Sequence, residues 1–210
     1  MKQLNIREKA WQGADIREPF LFALCFYEHP ELLLSMMNLF FPAEGLKRIR
    51  RMYSTLADLL ESDDPCLRAE AESSQGKVQL CLDYIQELTD KPCPGTGIRS
   101  KGHHKTLNLT ICRNDPFTCE NPILRVTLNS RDFAPSTGDD WVICGVLLSL
   151  HEKQKAEDKQ QQEVLRYFRE GVAEGKLCEK IDAAVQQIKS SEDWKLLYLE
   201  KRNEAEAVLD

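Results

Sequence analysis

Nowhere does this sequence offer an apolar stretch long enough to cross a bilayer. The longest run, PFLFALCFY from Pro19 to Tyr27, is about half the length a membrane-spanning helix needs. Its N-terminus shows no basic region followed by an apolar core and a small-residue cleavage site, so no secretory signal is expected and the cytoplasm is the default compartment. No membrane partner is expected either.

The eight cysteines include no CxxC pair. Disulfide frameworks belong to much shorter secreted chains, so buried free thiols are expected instead. Cys93, His103, His104, Cys112 and Cys119 carry zinc-ligating atoms but fit no common zinc spacing. GTGIRSKG is rich in glycine but lacks the GxxxxGK[ST] spacing of a phosphate-binding loop. His29 and His151 have no neighbours that suggest a catalytic triad. Excess positive charge is also missing: a net charge of -6 argues against a protein that coats nucleic acid indiscriminately.

What is present is an ordinary globular composition. With 42% hydrophobic and 30% charged residues over 210 positions, the chain can build one good core, or one domain with an appendage. Phe20, Leu24 and Tyr27, then Leu32, Leu33, Met36, Met37 and Phe40, recur at helical spacing until Pro42. EGLKRIRRMYSTLADLLE follows, with Leu46, Ile49 and Tyr53 on one side and Lys47, Arg48, Arg50 and Arg51 on the others. That pattern predicts a basic amphipathic helix.

Lys91 to Asn114 contains no acidic residue but holds Arg99, Lys101 and Lys105. Its first part is loop chemistry, and Thr106 to Ile111 alternates with period two, the signature of a strand. Pro122 to Leu128 predicts another strand. Trp141 to Leu150 is a continuous apolar run that suits a strand covered on both faces. From His151 onward the pattern is helical, with Gly171 and Gly175 as dividers, and Trp141 and Trp194 are expected in the core. The order of elements predicts an α/β (α+β) fold. Residues 1–150 form its core, with N-terminal helices over 14–60 and core strands and a helix over 55–150; residues 151–210 form a charged helical extension.

The succession ICRNDPF, NPILRVTLNSRDF, GDDWVICGVLLS and IDAAVQQIKSSEDWKLLYLE resembles the PD-(D/E)XK nuclease family of transposases and recombination-promoting (Rpn-like) nucleases. The similarity spans roughly Thr106 to Glu204. It implies a restriction-endonuclease-like small mixed sheet flanked by helices, an association with mobile elements of bacteria or phage, Mg²⁺ as cofactor and DNA as substrate. Such chemistry uses carboxylates at the ends of adjacent strands, since a hard divalent ion prefers oxygen ligands.

Two registers lay this resemblance on the chain. One takes Asp83, within QGKVQLCLDYIQE (Gln75 to Glu87), as the first carboxylate and leaves no second one before NDPF. The other takes Asp58 and Glu70 as the metal carboxylates, with Glu72 where the family has lysine or glutamine. Val78, Cys81, Leu82, Ile85 and Leu88 match a helical template, with Gln79, Asp83, Gln86, Glu87 and Asp90 opposite. The second register is therefore preferred, with Asp83 solvated on a helix.

The resulting expectation is a DNA-binding, nuclease-like protein whose metal-dependent cleavage is weakened or lost. Asp58, Glu70 and Glu72 are its catalytic candidates, and Lys47, Arg48, Arg50, Arg51, Arg99, Lys101 and Lys105 its phosphate contacts. The competing expectation is a non-catalytic interaction protein on the degraded scaffold, acting on a protein partner or as a homodimer through its C-terminal helices.

Overall fold

A computed structural model describes residues 2–85, 105–113, 122–129, 142–150, 156 and 158–207. Its elements run in the order α1 (Lys2–Gly13), α2 (Pro19–Glu28), α3 (Pro30–Phe40), a 3₁₀ turn (Pro42–Glu44), β1 (Arg48–Met52), α4 (Leu56–Glu61), β2 (Cys66–Ser73) and β3 (Gly76–Ile85). β4 (Lys105–Cys112), β5 (Ile123–Asn129), β6 (Val142–Ser149), α5 (Lys159–Glu170), α6 (Lys176–Lys189) and α7 (Glu192–Ala207) complete the order. The six strands lie in one sheet in the order β1-β2-β3-β4-β6-β5. β1–β2, β2–β3 and β5–β6 are antiparallel, whereas β3–β4 and β4–β6 are parallel.

The alternation of side chains along a strand gives this sheet two different faces. Leu67, Ala69 and Ala71 of β2, Leu80, Leu82 and Tyr84 of β3, and Leu107, Leu109 and Ile111 of β4 are all fully buried. The helices cover this side: the Tyr84 ring stacks on Phe22 of α2 with centroids 4.9 Å apart, and the Tyr84 hydroxyl donates to the Arg17 carbonyl at 3.0 Å. Phe22 also meets Phe26 and Phe168 edge-on. The helical stretch expected up to Pro42 is two helices, α2 and α3. Pro30 opens α3 after a non-helical His29, and the axes of α2 and α3 bend by 99°, because proline lacks the N–H that a continuing helix requires. No single described helix is long and apolar enough to cross a membrane.

β4, β5 and β6 lie where the alternating and apolar runs predict them, and Gly171 and Gly175 divide the C-terminal helices as expected. Gly171 takes a left-handed φ of 76° and its N–H bonds the Tyr167 carbonyl, a helix C-terminal turn that glycine adopts without strain. Residues of the expected extension, among them Leu165, Phe168, Ile181, Val185 and Tyr198, join the same apolar cluster as Trp11, Phe22 and Leu107. They are part of the core, and Trp194 packs against it. Trp141 lies outside the described residues.

Two expectations are corrected. Within QGKVQLCLDYIQE, Gly76–Ile85 is not helical but forms strand β3, central in the sheet. Both faces of this strand are buried, so Cys81 and Ile85 on the second face join Val78 and Leu82 in a spacing that satisfies a helical template as readily as a strand template. The basic amphipathic helix is likewise absent, because Arg48–Met52 is the edge strand β1. Its pairing shifts between Ile49 and Arg51, so Arg50 sits in a bulge, and pairing with β2 overrides the helical pattern.

Gly175 opens α6 at φ 86°, and a Cβ there would come 2.0 Å from the Glu163 carboxylate. Glu163 can swing away, but the left-handed backbone cannot relax. Gly175→Ala is expected to cost about 1–2 kcal/mol, which a thermal melt reads as a lower Tm; an unchanged Tm would contradict this backbone conformation.

Candidate functional site

The face of the sheet turned away from α2 and α3 carries the polar residues that alternate with the core. In β2 these are Cys66, Arg68, Glu70 and Glu72; their partners in β3 are Asp83, Cys81, Gln79 and Lys77 in that order. β4 continues the row, with Asn108 beside Cys81 and Thr110 beside Asp83. Two clusters result, one exposed at the sheet edge and one buried at its centre.

At the edge, Lys47, Arg48, Arg50 and Arg51 are exposed. Glu72 accepts from Arg48 Nε at 3.0 Å and from Arg50 Nη2. These two hydrogen bonds, Arg48's the larger, hold the Glu72 carboxyl below the usual carboxylate range. Glu70 accepts from the Tyr53 hydroxyl at 3.2 Å and pairs with Lys77 Nζ at 3.3 Å, while the Arg51 guanidinium lies over the Tyr53 ring, 5.5 Å from its centroid. Asp58 is elsewhere. It lies exposed in the first turn of α4 rather than at a strand end, and the hydroxyl of the N-cap Thr55 donates to it at 2.7 Å. That is a helix-capping arrangement, favoured by the positive helix N-terminus.

The three expected carboxylates are thus divided between a helix cap and arginine or lysine ion pairs. Among the described residues, no group of three or more His, Cys, Asp or Glu side chains is arranged to hold a metal ion. The described residues do not bring together the several carboxylate or water oxygens that Mg²⁺ needs at close range. Lys105 Nζ, expected on phosphate, pairs with Glu44 Oε1 at 2.5 Å on the helical side of the sheet. Arg99, Lys101, Cys93, His103, His104 and Cys119 lie outside the described residues. Cys112 is buried, and Cys25, Cys81 and Cys178 are buried free thiols.

The central cluster went unseen in the sequence. Asp83 is only 1% exposed. The Thr110 hydroxyl lies 3.5 Å from Asp83 Oδ2 and 3.1 Å from Asn108 Oδ1. Asp83 Oδ1 and Arg68 Nε are both buried without a hydrogen-bond partner. Burial raises the Asp83 carboxyl above its ordinary range, outweighing hydrogen bonds from Cys66, Asn108 and Thr110 and the charge of Arg68. Burial, and then the neighbouring Asp83, push the Cys81 thiol up to about 12 and raise that of Cys66 as well. Both sulfurs are therefore protonated at neutral pH and are not nucleophiles. One signal for this cluster was legible: Thr106, Asn108 and Thr110 alternate with leucines and isoleucine in β4, which announces a polar face but not a covered one.

No family model, no curated protein and no solved structure matches this chain.

The Asp83 shift fixes a pH dependence. An aspartate with a raised folded-state pKa favours folding fully below its unfolded value of 3.8, and that contribution is lost as pH rises through the folded-state pKa. Asp83→Asn, which removes the titration, is expected to melt higher than wild type at pH 8, with the difference closing at pH 3. Parallel Tm-against-pH curves for the two proteins would show that Asp83 ionises normally.

Proposed function

We propose that this protein is a non-cleaving, nucleic-acid-binding protein on a restriction-endonuclease-like scaffold, with β1 as its phosphate-contacting edge. One observation carries the reading. On an acidic chain, Lys47, Arg48, Arg50, Arg51 and Lys77 gather at one exposed sheet edge, where they outnumber Glu70 and Glu72. Phosphate backbones are met by clustered arginine and lysine, and Tyr53, 39% exposed beside Arg51, adds an aromatic face of the kind on which bases stack. The antiparallel run β1-β2-β3 continued by the parallel β4, with helices packed on one side, supports the scaffold assignment. A link to mobile elements rests on the resemblance of the second half of the chain.

The donor set among the described residues supports a reading without cleavage. Glu72 is engaged by two arginines and Asp58 caps a helix, so neither is placed to share a divalent ion with Glu70. A second reading, a protein-interaction module, is favoured by one observation: Arg48 and Arg50 are already compensated by Glu72 and Lys105 by Glu44, which lowers the positive charge available to phosphate.

A fluorescence-anisotropy titration with labelled DNA separates the two. Three phosphate contacts would weaken binding about fortyfold between roughly 50 and 200 mM salt, and replacing Arg48, Arg50 and Arg51 together by glutamine would remove most of that slope. No binding at low salt sinks the nucleic-acid reading in favour of the protein-partner one. In plasmid nicking with Mg²⁺ or Mn²⁺, wild type, Asp58→Ala and Glu70→Ala are expected to be equally inactive; nicking by wild type that either variant loses would restore the nuclease reading.

A further inference from the structure

The central cluster combines groups that seldom occur together on a buried sheet face. A carboxylate 1% exposed is flanked by two cysteines and a guanidinium on strands in direct register, with Arg68 opposite Cys81 and Cys66 opposite Asp83. Directly opposed side chains in an antiparallel pair have Cβ atoms about 5 Å apart. Two carboxylates at positions 68 and 81, with Asp83 two residues further on the same face, would therefore converge closely enough to share one hard cation. Arg68 and Cys81 prevent this. A protonated thiol offers such an ion nothing, and a guanidinium repels it.

We infer that Arg68 is a built-in cation that closes this face to divalent metal: its fixed charge stands beside Asp83 and the two thiols where, with oxygen ligands around it, a metal would sit. Three further features agree. Arg68 is half-buried, its side chain hydrogen-bonds with Cys66, and its charge acts on Asp83. Asp83 Oδ1 is orphaned, so one carboxylate oxygen keeps free acceptor capacity. The backbone of Arg68 is pinned on the other side, since its N–H donates to Ser54 Oγ at 2.8 Å and its carbonyl accepts from the Tyr53 N–H at 2.8 Å. The guanidinium is thereby anchored at its root and cannot move away with a shift of the strand. This goes beyond the β1 reading and is independent of it, because the salt titration interrogates exposed cations at the sheet edge whereas this inference concerns the buried centre.

The test is a metal-dependent melt on the full chain. Wild-type Tm is expected to stay fixed as Mg²⁺ or Mn²⁺ is raised to millimolar levels. The double variant Arg68→Asp, Cys81→Glu is expected to gain Mn²⁺ binding by calorimetry, with a Tm rise of roughly 5 °C or more at about a hundredfold above Kd. A wild-type Tm that rises with metal overturns the inference, as does a folded double variant that ignores it. Should the double variant not fold, Arg68→Met decides the matter. Among the described residues, the charged and titratable groups facing Asp83 are Arg68 and Cys66 on β2 and Cys81 on β3, with the neutral Asn108 and Thr110 on β4. Removing the one positive charge should enlarge the loss of folded-to-unfolded ratio between acid and neutral pH by roughly tenfold, and adding Asp83→Asn should cancel that enlargement. An unchanged pH slope in Arg68→Met would show that Arg68 does not act as the counter-cation.

Discussion

The antiparallel register of β2 on β3 is the constraint on which the rest of the molecule depends. It places Cys66 opposite Asp83 and Arg68 opposite Cys81, and in the same stroke turns Leu67, Ala69, Leu80 and Leu82 toward the helices. A slip of β3 by one residue would exchange its two faces. Its polar row would then lie under α2 and α3, and its apolar row would lie on the other side. Because Tyr84 is locked by Phe22 on one side and by the Arg17 carbonyl at its hydroxyl, that slip is opposed by both packing and hydrogen bonding.

The helical layer over the apolar face is assembled from both ends of the chain. Trp11 of α1 and Phe20 of α2 pack against Tyr198 of α7, and Lys189 at the end of α6 donates to the carbonyls of Gln12 and Ala14, the free carbonyl end of α1. Arg17 ties the same region together through Asp15 and the Arg169 carbonyl. The N-terminal helices therefore acquire their cover only once the C-terminal helices have docked, and the two are expected to melt as one cooperative unit.

Much of this architecture was legible. Strands that alternate, such as β4, and strands bounded by turn residues, such as β5 and β6, declare themselves, and glycines at 171 and 175 mark real helix limits. Where the reading failed, the cause was the same in both places: local pattern was taken for tertiary role. In β3 the alternation of Leu80, Leu82 and Tyr84 with Gln79, Cys81 and Asp83 is present, but Val78, Cys81, Leu82 and Ile85 also fit a helical stripe, and a helix would have exposed the aspartate. β1 carries arginines at spacings that suit a helix face, but an exposed edge strand with one bulge displays charge just as freely. The site residues suffered more than the fold. Glu70 and Glu72 lie on β2, yet their arginine and lysine partners come from β1 and β3, and no single stretch of sequence states that pairing. Arg68 and Cys81 meet only through the register.

The bulge at Arg50 has a bearing on how this protein can meet anything else. An edge strand offers its unpaired backbone to any passing strand, and uninterrupted edges of that kind invite sheets to extend from one molecule into the next. At β1 the extra residue breaks the regular spacing of the backbone groups, and successive guanidinium groups crowd the approach. Lateral growth of the sheet is discouraged on this side. Recognition here must run through side chains, with the backbone kept out of reach, so whatever docks on this rim is selected by charge and planarity rather than by a readiness to become a seventh strand.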